Sequence, residues 1–165
     1  MDAYTAIISK RDRREYSSIQ IPDDVLHRIL QAGRMAGSSS NSQPVRLVVL
    51  RDQENRDALL PFGRGTAPIG RAPLVIAVLL QKGARDFDVG RTAQNMMLAA
   101  WADGVISCPV GIQEREGART ALGYPEDFEI AICIAFGFPD DSQTAPPREP
   151  RPRLSMDELV HREKW

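Results

Sequence analysis

The chain has 165 residues, 42% of them hydrophobic, enough for one domain with a substantial buried core. Its 21 basic and 22 acidic side chains leave a formal net charge of −1, so no global field draws it to nucleic acid, to a membrane surface or to acidic substrates. Any electrostatic site must be local. The opening "MDAYTAIISKRDRREY" lacks the order of a signal peptide, no run reaches the length of a membrane span, and Cys108 and Cys133 sit in apolar surroundings as free thiols. These features lead us to expect a cytoplasmic protein.

Tyr4, Ile7 and Ile8 fall at helical spacing, and Val25, Leu26, Ile29, Leu30 and Met35 do so behind Pro22 and the early aspartates Asp23 and Asp24. Two helices therefore open the chain. "VRLVVLRD" (45–52), "APLVIAVLLQ" (72–81) and "FEIAICIAFGF" (128–138) are rich in Val and Ile and apolar enough for interior strands covered on both faces, with "VISCPVG" (105–111) a fourth candidate. Residues 87–104, "FDVGRTAQNMMLAAWADG", form a helix ended by Gly104 with so little polar surface that it must be buried, its cover beyond its own sheet being a second subunit. "EREGARTALGYPED" adds a short helix. Residues 139–155 are rich in Pro and Arg and read as an extended arm, crossing the surface or reaching a partner, before a last short helix in "MDELVHREKW". We treat residues 1–165 as one domain with an arm from about residue 139.

Much chemistry lacks its raw material. "GRGTAPIG" (63–70) follows no convincing strand and precedes no helix, so a dinucleotide-binding turn is not indicated, and the lysine and hydroxyl of a P-loop are missing. His27 and His161 read as surface side chains and are too few for metal clusters or histidine-based triads. Carboxylates are scattered.

Two features do stand out. Lys10, Arg11, Arg13 and Arg14 crowd into five residues, and Arg148, Arg151 and Arg153 recur near the other end. Each cluster alone is usually a solvated face, but two clusters that met in the fold would make an anion pocket suited to phosphate oxygens. Neither is interleaved with stacking aromatics, so single-stranded nucleic acid is not the favoured anion. Residues 38–43, "SSSNSQ", then supply short donors and acceptors at the mouth of a strand, suited to the edge of a planar heteroaromatic ring. Phosphate at one end and a polar ring at the other describe a mononucleotide-like cofactor.

These segments resemble the nitroreductase family of flavin mononucleotide (FMN) oxidoreductases over nearly the whole chain. "KRDRREY" is similar to that family's opening Arg-Arg-Ser-x-Arg-x-aromatic motif, and "AGRMAGSSSNSQPVRLVVLRD" to its Ala-Pro-Ser-x-x-Asn-x-Gln-Pro-Trp segment and following strand. "DVGRTAQNMMLAAWADGVISCPVG" resembles its central helix and the turn beyond, and "RPRLSMDELV" its C-terminal phosphate-binding arm.

The resemblance implies an α+β, three-layer fold: a central, mostly antiparallel sheet flanked by helices, in an intertwined homodimer. It implies that Lys10, Arg11 and Arg14 contact the ribityl chain, phosphate or pyrimidine edge, and that Arg151 and Arg153 complete the phosphate grip. Ser38, Ser39, Asn41 and Gln43 would meet the flavin of the opposite subunit, and the turn at Val110 and Gly111 would offer a backbone N–H toward flavin N5. Asp12 stands where the family has serine, a carboxylate that adjacent arginines would neutralise, while Gly37 replaces a proline and Val45 a tryptophan. The implied activity is hydride transfer from NAD(P)H through flavin N5 to nitroaromatics, quinones or similar acceptors by a ping-pong mechanism, with no protein nucleophile and no metal. Two alternatives stay open: a flavin-binding protein without turnover, and a flavin-fragmenting enzyme like the dimethylbenzimidazole synthases.

Overall fold

The structure, a computed structural model, describes residues 1–142 and 152–165. Asp2 caps the first helix, α1 (Ala3–Ser9), by accepting a 3.0 Å bond from Thr5 N, satisfying one of the amides that a helix start leaves unpaired. Helix α2 (Asp23–Arg34) begins behind Pro22 with Asp23 and Asp24 in its first turn, where carboxylates favour the helix dipole, and buries Val25, Ile29 and Gly33. Four strands follow as anticipated: β1 (Val45–Leu50), β2 (Leu74–Gln81), β3 (Ile106–Val110) and β4 (Phe128–Gly137). They form one sheet in the order β1-β2-β4-β3, every neighbouring pair antiparallel.

Alternation along β2 divides the core. Leu74, Ile76, Val78 and Leu80 face α2 and the long helix α5 (Asp86–Ala102), while Val75, Ala77 and Leu79 face the opposite cluster. That second layer holds the short helices α3 (Gln53–Asp57) and α4 (Ala67–Arg71) together with α6 (Arg115–Leu122). Between Val78 and Leu79 the register with β4 slips by one residue, so Ala131 and Ile132 both pack toward the α5 side and the alternation resumes in phase. The result is the three-layer α+β arrangement with an antiparallel sheet. The last element, α7 (Met156–Leu159), is held by a reciprocal cap in which Ser155 Oγ accepts from Glu158 N and the Glu158 carboxylate accepts from Ser155 N.

Three expectations need correction. β1 is not interior: it is the sheet edge, with Arg46 and Val49 exposed, and a single charged residue on an edge protects it from further pairing. Residues 67–71 do form a helix after "GRG", because Pro68 fits a first helical turn, yet no strand precedes it and the dinucleotide reading stays without support. α5 is covered mainly by α2 and the sheet rather than buried all round: Phe87 is exposed, and Leu98, Ala99 and Trp101 are half-buried.

Candidate functional site

The basic segment 10–16 leaves α1 and runs against the outer edge of β3. Asp12 forms a parallel bridge with Ser107, Arg13 N donates to Ser107 O at 3.2 Å, and Tyr16 bridges Pro139. This pairing fixes the backbone of the cationic run while leaving Arg11 and Arg14 exposed. Lys10 is paired with Asp12 and its Nζ lies 3.6 Å from Met97 Sδ on α5, so the lysine, not an arginine, neutralises the unusual carboxylate. Arg13 pairs with Asp141 at 3.1 Å. The Arg11 guanidinium donates to the carbonyls of Ile8 and Lys10, and that of Arg14 reaches the Cys108 thiol; neither guanidinium has a carboxylate partner among the described residues. Burial raises the Cys108 pKa, Asp12 adds to the rise and Arg14 opposes it, so the thiol stays neutral and inert. Ser107 Oγ beside this segment is fully buried, with no hydrogen-bond partner among the described residues.

The polar loop between α2 and β1 is a separate structure. Ser40, Asn41 and Gln43 all lie in the left-handed region, at φ of 50°, 55° and 49°. Asparagine tolerates that conformation, whereas serine and glutamine there cost on the order of 1 kcal/mol each. The loop is held in place all the same: Ser38 Oγ accepts from Gln43 N at 2.9 Å and Arg46 donates to Gln43 O at 2.8 Å. It leaves Ser39, Asn41 and Gln43 exposed, and Ser38 and Gln43 line a cavity of about 440 Å³ together with Arg34, Arg46, Asp88 and Thr92.

Within one chain these two segments meet different stretches of α5. The loop's cavity reaches Thr92, whereas Lys10 reaches Met97, about 8 Å further along the helix. No hydrogen bond or ion pair joins them among the described residues. Arg153 is exposed, while Arg148 and Arg151 lie outside the described residues.

The turn after β3 is the third part. Val110 is buried and pairs with Cys133, and Gly111 is exposed just beyond. What the sequence reading missed is what holds this turn. Phe62 O accepts from both Gln113 N at 2.9 Å and Glu114 N at 3.0 Å, and Gln113 Oε1 accepts from Arg64 N at 2.6 Å. Nothing local in the sequence marks Gln113, because its partner is 49 positions away.

A cationic segment along a sheet edge, a rigid turn at the end of that strand and a strained polar loop are the candidate parts of a site in this α+β protein. A model of the nitroreductase family matches residues 7–86 and 69–138. A protein of Archaeoglobus fulgidus, provisionally named NADH dehydrogenase/NAD(P)H nitroreductase, is 32% identical over 171 residues, covering 96% of each chain. The NADPH-flavin oxidoreductase of Vibrio harveyi is 30% identical over 179 residues, 96% of this chain and 72% of that protein. The solved structure of the NADPH:FMN oxidoreductase from Vibrio harveyi complexed with NAD+ superposes with a TM-score of 0.85 at 25% identity, over 98% of this chain and 77% of that one. The chain belongs to the nitroreductase family.

Proposed function

We propose that the protein is an FMN-dependent oxidoreductase that draws on NADH or NADPH and serves small electron-poor acceptors, such as nitroaromatics and quinones, alternately at one pocket. The observation that carries this reading is the cationic segment laid along β3, with the Arg11 and Arg14 guanidiniums free of carboxylate partners among the described residues. A guanidinium held in a fixed place without a counter-charge is a ready partner for a phosphate. Two such exposed guanidiniums, with their forked donors, are a donor set that fits a ribityl phosphate. The names of the relatives, a flavin oxidoreductase and an NAD(P)H nitroreductase, agree with this chemistry.

When bound, FMN supplies the two-electron chemistry that none of the protein's side chains can perform. The protein's part is placement. Arg11 and Arg14, joined by Arg151 and Arg153 of the arm, hold the phosphate, and the Lys10–Asp12 pair sets the local charge. The Val110–Gly111 turn offers a fixed backbone N–H at the ring's reactive edge, a preorganised donor of the kind that stabilises developing charge. Ser38, Ser39, Asn41 and Gln43 border the ring of a second copy. We read residues 1–165 as one cytoplasmic domain acting as a homodimer. The apolar side chains Tyr4, Ile7 and Ile8 on α1, and Leu154, Met156, Leu159 and Trp165 near α7, are exposed in a single chain and need such cover.

The test is a visible spectrum of protein reconstituted with FMN, followed by anaerobic addition of NADH or NADPH. Bleaching supports the reductase. Bound flavin that no hydride donor reduces points to a binding protein, loss of FMN mass in air points to fragmentation, and a protein that takes up no FMN overturns the reading.

A further inference from the structure

We infer that Gln113 is a positioning residue: its side-chain amide, wedged between Gly63 and Gly111, clamps the turn after β3 to the Phe62–Thr66 loop and so fixes the backbone N–H of that turn. This rests on the functional reading above and goes beyond it, since that reading names the turn and not what holds it.

Three observations carry the clamp. Gln113 Oε1 accepts from Arg64 N at 2.6 Å, across 49 positions of chain. Phe62 O accepts from two successive backbone amides, Gln113 N and Glu114 N, at 2.9 and 3.0 Å. The backbones also approach too closely for a side chain on Gly63: a Cβ there would lie 2.7 Å from Gly111 O and 3.2 Å from Gln113 Oε1. A Cβ on Gly111 would lie 3.2 Å from Gln113 Nε2, so the amide fills the gap between the two glycines. Gly63 is extended, at φ −160°, and glycine is needed there for space rather than for conformation. Thr66 Oγ1 donates to Leu60 O at 2.9 Å, which closes the loop on itself and gives the turn a rigid partner.

The physical consequence is a division of labour. Affinity for the cofactor comes from cations along the outer edge of β3, whereas the turn at the end of that strand fixes only the direction of one donor. Loosening it therefore changes rate more than binding, because a donor misplaced by about 1 Å can cost up to roughly 100-fold in rate.

Three variants of the full chain test this: Gln113→Ala removes the acceptor for Arg64 N, Gln113→Glu keeps it, and Gly63→Ala presses on Gly111 O from the far side. In the apoprotein, hydrogen exchange in peptides covering 60–66 and 109–115 is expected to quicken about fivefold in Gln113→Ala and to stay at the wild-type rate in Gln113→Glu. With FMN bound, the rate constant for its anaerobic reduction by NADH or NADPH is expected to fall about tenfold in both Gln113→Ala and Gly63→Ala. FMN affinity is expected to stay within about threefold of wild type, and Gln113→Glu to recover the rate. Unchanged exchange overturns the clamp. Faster exchange with a wild-type reduction rate overturns its role in positioning, and a loss of FMN affinity equal to the loss of rate reassigns Gln113 to cofactor binding. Wild-type protein that binds no FMN instead overturns the functional reading and the cofactor side of this inference, with the clamp itself still decided by exchange.

Discussion

At the scale of single residues, the site is a problem of uncompensated charge. The segment from Lys10 to Tyr16 holds four cations, and the structure sorts them: Lys10 is spent on Asp12 and Arg13 on Asp141. Arg11 and Arg14 remain. Arg14→Ala should weaken FMN retention by about 1.5–3 kcal/mol, the worth of one hydrogen bond to a charged group. Fluorescence titration of the apoprotein measures it, and unchanged affinity would remove Arg14 from the site. Reading this from sequence was possible only in part. Four cations in five residues announce an anion site, but which of them is free depends on Asp141, more than 120 positions away.

At the scale of elements, α5 organises the molecule because its neighbours can come close. Gly33 on α2 faces Met96 and Thr92 on α5, and a Cβ there would lie 2.8 Å from Met96 Cγ and 3.4 Å from Thr92 Cγ2. A glycine at this crossing lets the two helices pack closely over the sheet. Gly33→Val should cost about 1–3 kcal/mol by overpacking. Urea denaturation would show this, and the double variant with Met96→Ala should lose less than the two single changes together, because each makes room for the other. Additive losses would show that the contact is not what sets the helix spacing. The same crossing explains why a helix that reads as apolar nearly all round does not need a partner on every face: α2 supplies the cover that the sequence pattern assigned to a second subunit.

At the scale of the whole molecule, a single chain leaves work undone. The stretch from Pro152 to Trp165 is exposed throughout, including Leu154, Met156, Leu159 and Trp165, although its helix is carefully capped by Ser155 and Glu158. An ordered, capped and apolar element standing in solvent is costly unless something covers it. Sedimentation should therefore give a particle of twice the chain mass, and the pair Leu159→Asp and Trp165→Asp should weaken its association at least about tenfold, as expected when apolar anchors are lost from an interface. A full-length chain that stays monomeric at high concentration would contradict the shared site.

By itself the sequence determined the elements and the chemistry that had to be present. Runs of Val and Ile make strands, helical spacing behind Pro22 makes α2, and clustered cations are the raw material of the proposed anion site; each of these signals is local, and local signals survive in one dimension. The tertiary structure alone decided the rest. It put β1 on an edge, made α3 and α4 from segments too short to show a period, spent Lys10 and Arg13 on acids, and set Gln113 between two glycines. Apart from the Lys10–Asp12 pair, which is local, these depend on contacts between residues far apart in the chain, where packing space and pairing, not propensity, settle which side chain meets which.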